Sequence, residues 1–475
     1  MTLTVIGLMC AGALLVWVLR SQRPTALLVL SVVGLYMLQP VGFEIALPTA
    51  TLLLVIAVWW LITPRAARND TITALVLIAS AALAVLLRVG IQTPVIDGVV
   101  KSRLDDLLQG LRVLPPLAAV AVAALGAGAV IPKDNDAARR RIATGFVLVI
   151  IALLVVLKLP ALHDAIPDAL ARYSQTAFLD WQWIGFSYIA FRLMHVLLDF
   201  RNQRLRPMTL RDFALYVTFF PALVAGPIDR AEHFVSDLAR PIVLDTERLI
   251  AGGTRIGMGL FKKFVVADSL ARIALNATLV EQSVRGMPWT LWLMLYAYSF
   301  QIFFDFSGYS DIAIGIGILA GIKLPENFNA PYLKPNITAF WNSWRITLAS
   351  WFRTYFFTPL SRALMATQLR KQRLLIILIT QVSTMMLIGL WHGITLNFVL
   401  WGLWHGLGLW LHRWFTDHAQ GWHAYVQARP KLASVVQVLS VVGTFHFVAL
   451  GWVFFALPDL QHIGLALVKL AGFNG

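Results

Sequence analysis

The stretch GLWHGITLNFVLWGLWHGLGLWLH, residues 389–412, is apolar enough to lie in a membrane, yet it contains three histidines. Two of them, His392 and His405, occur in the same tripeptide, Trp-His-Gly. Ionisable side chains inside a membrane are costly, so they usually face protein or a water-filled cavity and mark a functional site. This stretch therefore predicts membrane-embedded helices that carry imidazole groups for chemistry or for structure.

The composition of the whole chain indicates an integral membrane protein. The 475 residues are 59% hydrophobic and 13% charged, with a mean hydropathy of +0.73, whereas soluble proteins have about 25% charged residues. The single cysteine, Cys10, excludes an intrachain disulfide and a cysteine-rich metal site. The first 20 residues lack a basic leader region and a clear cleavage site, so we predict a retained helix there.

Apolar runs of roughly 17–25 residues can cross a bilayer as helices. We predict an all-α bundle of about 11 to 13 membrane helices, some of them re-entrant or amphipathic. The run at 289–320 is too long for one straight span and too polar for simple exposure to lipid. The candidate segments lie at about 3–19, 26–43, 47–63, 71–88, 113–131, 142–159, 182–200, 213–226, 254–276, 289–320, 373–392, 394–412 and 433–456.

The net charge of +15 is explained by loops that face the cytoplasm. Alternate loops at 20–25, 64–70, 132–141 and 201–211 are rich in Arg and Lys, and cytoplasmic loops of membrane proteins carry such an excess. The pattern predicts cytoplasmic basic loops, an extracytoplasmic N-terminus and lipid surroundings. It gives no reason to expect a nucleic-acid partner.

The two parts of the chain differ in character. Residues 1–180 consist mostly of plain aliphatic spans, which we interpret as an N-terminal transmembrane scaffold. From 181 onward the spans gain Trp, Phe, His, Asp, Arg and Gly, so we expect the catalytic core in 181–475.

Two groups of polar residues allow more than one interpretation. Arg192, His195 and Asp199 share one helical face, where they would either lock neighbouring helices together or line a polar tunnel. Asp305 and Asp311 lie in FFDFSGYSDIAIGIG (303–317). They would serve structural hydrogen bonding, an acid–base pair or, least favoured, a hard metal.

Basic residues near the membrane surface offer anion-binding groups. Lys262 and Lys263 are expected at the interface, where they would meet lipid headgroups or an anionic donor. The segment 331–362 alternates aromatic residues with arginines, including Arg345 and Arg353, and predicts a short amphipathic or re-entrant element.

His392 is the strongest candidate for catalysis among these residues. A neutral imidazole exchanges protons near pH 7, and a positioned general base contributes about 10²–10⁴ in rate. His392 lies where two apolar segments join, and the glycine after it permits close approach of a substrate. A purely structural histidine is the alternative, and the chain has no HExxH zinc motif.

Five segments together resemble the membrane-bound O-acyltransferase (MBOAT) family, in its bacterial alginate O-acetylase and teichoic-acid D-alanyl transferase branch. They are YVTFFPALVAGPIDR (216–230), GLFKKFVVADSLA (259–271), FQIFFDFSGYSDIAIGIGILAGIKLPENFNAPY (300–332), FWNSWRITLASWFRTYFFTPL (340–360) and GLWHGITLNFVLWGLWHG (389–406). TFHFVALGWVFF (444–455) resembles the ending of the family.

The resemblance implies a helical bundle around a central tunnel, with His392 as the general base. The thioester donor would be an acyl-CoA or an acyl-phosphopantetheine carrier protein. Arg345 stands where the family commonly has histidine; because it stays protonated, it would bind donor phosphate or a developing oxyanion. The supporting or tunnel-lining candidates are Arg345, Asp305, Ser307, Asp311, Trp391, Asn397 and His405, and the candidates for donor phosphates are Lys262, Lys263 and Arg353. No metal is predicted.

The predicted function is transfer of an acyl group, acetyl by the resemblance, to a hydroxyl of an extracytoplasmic polysaccharide or of a partner protein that relays it. The expected location is the bacterial inner membrane, with multiple passes. A multi-pass transporter or flippase with a coupled intramembrane charge network is the alternative, and a scaffold without catalysis is a third.

Overall fold

The computed structural model describes residues 3–39, 45–64, 67–91, 136–162, 183–243, 245–282 and 288–473. These ranges are helical, and their only paired extended residues form an isolated antiparallel bridge between Phe328 and Trp344. The predicted all-α class is confirmed. The predicted span at about 113–131 lies outside the described residues.

The chain divides into two compact units. The first comprises Met1–Ile256 and Ala313–Leu324, and the second comprises Gly257–Ile312 and Pro325–Gly475. All the residues proposed for the site belong to the second unit. The predicted division at residue 180 separates a scaffold from a catalytic core. The boundaries of the two compact units do not test that division, so it stays a prediction.

In the first unit, buried polar groups tie helices together through backbone carbonyls. The guanidinium of Arg23 donates to the carbonyl oxygens of Arg240 at 2.7 Å and Asp237 at 3.1 Å. The indole of Trp17 donates to the carbonyl of Leu319 at 2.5 Å. The described helices of this unit are α1 (Leu3–Val18), α2 (Arg23–Met37), α3 (Ala46–Ile62), α4 (Thr71–Ile91), α5 (Asp136–Lys158), α6 (Phe186–Arg201), α7 (Leu210–Thr218), α8 (Ala231–Ala239) and the start of α9 (Thr246–Leu260).

The second unit begins in α9 and contains two π-helical turns, Phe261–Ala267 and Arg353–Phe357. Its further described helices are α10 (Asp268–Ala271), α11 (Ala277–Gln282), α12 (Pro288–Ala320, up to Ile312), α13 (Ile337–Trp341), α14 (Ile346–Phe352), α15 (Thr358–Met365), α16 (Arg373–His392), α17 (Leu396–His418), α18 (Gln420–Gln427), α19 (Pro430–Ala456) and α20 (Leu460–Leu470). The short helices α13 to α15 match the short amphipathic or re-entrant element expected at 331–362.

Four described helices are long and apolar enough to cross a membrane: Asp136–Lys158, Trp289–Ala320, Arg373–His392 and Pro430–Ala456. The pair Leu3–Val18 and Arg20–Met37, bent by 103°, makes a fifth if it is one broken span. The run at 289–320 forms a single helix, and 72% of its apolar window is buried inside the protein. Burial against protein explains how this helix tolerates polar side chains. The total of 11 to 13 segments stays a prediction.

A helical hairpin carries the Trp-His-Gly stretch. Helix α16 ends at His392, and α17 starts only four residues later at Leu396. The two helices pack closely because α17 has glycines on the facing side. A Cβ at Gly402 would lie 2.6 Å from the Cα of Met386, which is nearer than real Cβ atoms approach. The hairpin therefore requires glycine at this position.

Candidate functional site

The imidazole of His392 lies at the end of α16, half-buried among aromatic side chains. The helix stops there because the backbone of Gly393 is extended. The ring is thus placed by α16, α17 and α19 at the hairpin connection. Its aromatic neighbours, with ring centroids at 4.6, 4.8, 5.9 and 6.0 Å, are Trp391, Phe455, Phe398 and Trp401 respectively.

Arg345 carries the cationic group of this site. Its side chain is 6% exposed, and its guanidinium lies 4.5 Å from the ring centre of Phe306 and 5.3 Å from that of Trp391. Aromatic faces attract cations in this geometry. Since Trp391 also contacts His392, the guanidinium and the imidazole share one neighbouring indole.

The backbone of Arg345 is strained. Its φ of 44° lies in the left-handed region, which non-glycine residues enter at a cost of about 1–3 kcal/mol, mostly at functional sites. The flanking chain holds it there: the amide of Ile346 donates to the carbonyl of Asn327 at 2.9 Å, and the amide of Ala349 to the carbonyl of Arg345 at 3.0 Å.

The two carboxylates of α12 form ion pairs with consecutive lysines of the π-helical turn. The ammonium of Lys262 lies 2.6 Å from the carboxylate of Asp311, and Lys263 pairs with Asp305. The negative charges of Asp305 and Asp311 are thus neutralised by lysines of the same unit, which favours a structural role for both carboxylates. A role for Lys262 and Lys263 in binding donor phosphates stays a prediction.

Glycines allow this close approach of the π-helical turn to α12. A Cβ at Gly308 would lie 2.8 Å from the carbonyl oxygen of Gly259 and 2.9 Å from the amide nitrogen of Lys263. Ser307, the residue before, is 3% exposed. Within the described residues, its hydroxyl has no hydrogen-bond partner.

A cavity of about 340 Å³ lies along α16 in the same unit. Gln381, Thr384, Met385 and Ile388 present one helical face to it, and His392 continues that spacing one turn further. Arg353 is exposed and contacts Asn342 in the same lining. The remaining lining residues are Thr338, Trp341, Ala349, Phe357 and Leu409.

The other proposed residues of α17 are buried away from solvent. His405 has no exposed surface and contacts the rings of Trp341 at 5.1 Å and Trp401 at 4.9 Å. Neither ring nitrogen has a hydrogen-bond partner within the described residues. Asn397 receives a hydrogen bond from Thr395 at 2.5 Å and donates to the carbonyl of Phe454 at 3.2 Å, so it fixes the start of α17 to α19.

The structure adds residues that the sequence interpretation missed. Phe306 contacts Arg345, and Phe455 contacts His392. Gln381 and Trp341 line the cavity. The sequence could have indicated Gln381, because it precedes His392 by 11 residues and so lies on the same helical face, three turns earlier. Trp341 carried no such signal.

In the first unit, the charged residues of α6 bond within that unit. The guanidinium of Arg192 donates to the carbonyls of Val217 and Ala222, both at 2.8 Å. His195 lies 2.9 Å from the carboxylate of Asp199. These contacts favour the helix-locking interpretation over a tunnel lining. Across the described part of the chain, no three His, Cys, Asp or Glu side chains are grouped to hold a metal ion.

Comparison with known proteins covers most of the second unit and less than half of the first. A family model described as MBOAT, membrane-bound O-acyltransferase family, matches residues 144–439. The matched segment includes His392, Arg345 and the two lysine–aspartate pairs.

Three similar proteins come from different bacteria. A protein named "Probable alginate O-acetylase", from Pseudomonas aeruginosa, is 36% identical over 280 residues, covering 58% of this chain and 49% of that protein. A "Peptidoglycan O-acetyltransferase" from Helicobacter pylori is 35% identical over 266 residues, covering 56% and 47%. A "Teichoic acid D-alanyltransferase" from Bacillus subtilis is 28% identical over 285 residues, covering 59% and 70%. The matches to the first two span about half the length of those relatives.

Proposed function

Since the chain belongs to the membrane-bound O-acyltransferase family, we propose that it transfers an acyl group from a thioester to a hydroxyl group. One observation carries the proposal: His392 and Arg345 flank the same indole, that of Trp391, at the end of a helix whose face lines a cavity. The site offers a base and a fixed positive charge that both contact one indole, and a base and a positive charge are the two kinds of group that assist acyl transfer to a hydroxyl.

The reaction begins with the imidazole of His392, which accepts the proton of the acceptor hydroxyl. The hydroxyl oxygen attacks the carbonyl carbon of the thioester and forms the new carbon–oxygen bond. The guanidinium of Arg345 stabilises the negative charge that develops on the carbonyl oxygen. When the carbon–sulfur bond breaks, the imidazolium returns its proton to the leaving thiolate, so the free thiol departs and the base is restored.

The acyl donor is an acyl-CoA or an acyl-phosphopantetheine carrier protein, and the acyl group is acetyl. Arg353 supports this assignment because it lies exposed in the lining of the cavity, where a cation can meet donor phosphates. The basic residues Arg370 and Lys371 precede α16, and Arg373 is its first residue, so the helix starts on the side predicted to be cytoplasmic.

The acceptor is a hydroxyl on the opposite side of the membrane, in a polysaccharide or in a partner protein that relays the acyl group. The names of the similar proteins support this class, since they refer to alginate, peptidoglycan and teichoic acid. All three organisms are bacteria, which supports a place in the bacterial cytoplasmic membrane.

A transporter with a coupled charge network is less well supported. Such coupling needs carboxylates that exchange protons or ions during the cycle. Here Asp305 and Asp311 pair with adjacent lysines, and Asp199 pairs with His195. These contacts resemble structural ion pairs more than an exchange site.

The deciding experiment is acyl transfer by the purified full chain. Acetyl-CoA with a labelled acetyl group is the donor, and oligosaccharides of mannuronate, peptidoglycan fragments and teichoic acid are separate acceptors. The proposal expects labelled ester in at least one acceptor with wild-type protein and none with His392→Ala. Equal labelling by both proteins would show that His392 is not the base. The same labelling is also carried out in native membranes, where partner proteins are present. If neither the added acceptors nor the partner proteins are labelled, the proposed activity is wrong.

A further inference from the structure

The start of α5 and the end of α6 are held together in the first unit. The guanidinium of Arg139 lies 5.2 Å from the ring centre of Phe200. The side-chain oxygen of Gln203 accepts hydrogen bonds from the guanidinium of Arg140, whose Nη2 lies 2.6 Å away. Two residues near the start of α5 thus contact residues at the end of α6 or just after it. The arginines of these two segments therefore belong to one surface.

The chain reverses tightly after α6. The amide of Gln203 donates to the carbonyl of Phe200 at 3.1 Å, and the amide of Arg204 donates to the carbonyl of Asp199 at 2.9 Å. Gln203 has a φ of 59°, at a position of this helix-ending turn that glycine usually occupies. Glutamine provides the side chain that contacts Arg140, which glycine lacks. The turn therefore keeps Arg204 close to the end of α6.

Four arginines of this surface form what we call the basic patch: Arg140, Arg141, Arg201 and Arg204. Three of them are exposed, and Arg140 is half-buried. Within the described residues none of the four forms an ion pair. The carboxylates nearest in sequence pair elsewhere, Asp136 with Arg139 at 3.3 Å and Asp199 with His195 at 2.9 Å. The basic patch therefore presents uncompensated positive charge, which attracts anions.

The basic patch adjoins an exposed apolar face of α5. This helix is long and apolar enough to cross a membrane, and only 22% of its apolar window is buried inside the protein. Arg141 begins a face whose members follow at alternating spacings of four and three residues, and all of them are exposed: Gly145, Leu148, Ala152 and Val155. A molecule that contacts both surfaces needs an anionic group joined to a long apolar chain.

We propose that the basic patch and this face of α5 bind an anionic phospholipid, on the side of the membrane predicted to be cytoplasmic. The guanidinium groups bind the phosphate oxygens, and an acyl chain lies along the exposed face. Clusters of basic residues at the end of a membrane helix attract anionic headgroups in this way. A zwitterionic phospholipid also has a phosphate, but the four cations repel its ammonium group. An acidic protein would satisfy the charges and leave the apolar face unused.

The test measures equilibrium binding to the purified full chain in a nonionic detergent. The probes are labelled phosphatidylglycerol and labelled phosphatidylcholine with identical acyl chains. We expect a preference of about 10²-fold for phosphatidylglycerol at low salt, because each cation contributes about fivefold. High salt should remove most of this preference, since it screens exposed charges. Both measurements use unaltered protein and do not depend on the acyl-transfer reaction.

Variants then assign the preference to the basic patch. Arg141→Gln combined with Arg204→Gln removes two charges and should lower the preference about 25-fold, whereas lysine at both positions should keep most of it. The matched control is Arg370→Gln combined with Lys371→Gln. It removes two exposed charges of the second unit, also on the side predicted to be cytoplasmic, and should leave the preference unchanged.

Competition separates a phospholipid from other anions. Glycerol phosphate has the anionic group without the acyl chains, and polyglutamate represents an acidic protein surface. Both should displace labelled phosphatidylglycerol much less effectively than the unlabelled lipid does. Equally effective displacement by glycerol phosphate would assign the basic patch to a free anion, and by polyglutamate to an acidic protein; either result rejects the inference.

The remaining outcomes decide the inference directly. A preference that falls in the patch variant and persists in the control variant supports it. Equal binding of the two lipids by unaltered protein, or the same loss of preference in both double variants, shows that it is wrong. Melting temperatures identify a variant that has lost its fold, and in that case the comparison of the two lipids on unaltered protein decides.

Discussion

At the scale of residues, a single indole, that of Trp391, lies beside both groups that we propose to take part in the reaction. The imidazole of His392 lies 4.6 Å from it, between ring centroids, and the guanidinium of Arg345 lies 5.3 Å from its centre. A neutral imidazole can accept a proton, whereas a guanidinium stays protonated and cannot act as a base. This division of labour suits one group that moves a proton and another that stabilises negative charge.

His392→Ala should lower the rate of acyl transfer by about 10²–10⁴-fold, the usual contribution of a general base. The melting temperature should change little, because the side chain is only half-buried. His405→Ala is the matched control from the second Trp-His-Gly. Since His405 is completely buried, its loss should destabilise the protein by about 2–4 kcal/mol and affect the rate less. If His405→Ala instead lowered the rate more strongly than His392→Ala, His405 would be the base.

Arg345→Gln should lower kcat by about 10²-fold with little change in the KM for the donor, because a charge that acts on the oxyanion is needed mainly in the transition state. Arg345→Lys should restore part of kcat, since it keeps the charge without the planar stacking. A raised donor KM at unchanged kcat would assign Arg345 to the donor phosphates instead. Steady-state kinetics with varied donor separates the two roles.

Helix α12 and the π-helical turn are held together by two ion pairs that differ in burial. Asp311 is 7% exposed and Lys262 26%, whereas Asp305 is 39% exposed and Lys263 18%. The more buried pair has lost more hydration and depends more strongly on its partner.

We expect Asp311→Asn to lower the free energy of unfolding by about 3 kcal/mol, because the Asp311 carboxylate is buried and water screens its attraction to Lys262 little. Asp305→Asn is the matched control, and it should cost about 1 kcal/mol or less because water screens that pair. Unfolding in detergent measures both. Equal losses would show that burial does not distinguish the pairs.

The close packing of α16 against α17 leads to a prediction about the glycine at their contact. Gly402→Val places a branched side chain against the backbone of Met386, so it should lower both the melting temperature and the acyl-transfer rate by displacing the end of α16. Gly443→Ala, in α19, has no atom within 4 Å of the added Cβ, so it should leave the rate unchanged and should not lower the melting temperature. Wild-type stability of Gly402→Val would contradict the close packing.

The proposed reaction connects the two sides of a membrane, which can be tested only with the whole molecule. In liposomes that contain the protein, with donor supplied to the predicted cytoplasmic side, labelled acyl ester should form on an acceptor present only on the other side. The coenzyme should stay where it was added. Passage of intact donor across the bilayer would instead support the transporter alternative.

The sequence by itself determined the all-α membrane class and singled out His392 as the proposed base. A chain with 59% hydrophobic and 13% charged residues indicates an integral membrane protein, and its apolar runs are long enough to span a bilayer as helices. The Trp-His-Gly at 391–393 marked His392 because an ionisable group in such a run is costly unless it is used. Helix α16, which the structure ends at His392, follows from the same pattern: an apolar run interrupted by glycine.

Only the tertiary structure decided which side chains share a site. Nothing in the local pattern joins Arg345 to Phe306 and Trp391, which are far apart in sequence and meet by helix packing. The same holds for the pairing of Asp311 with Lys262. Periodicity specifies the face of one helix, but the identity of the neighbour depends on how several helices pack together.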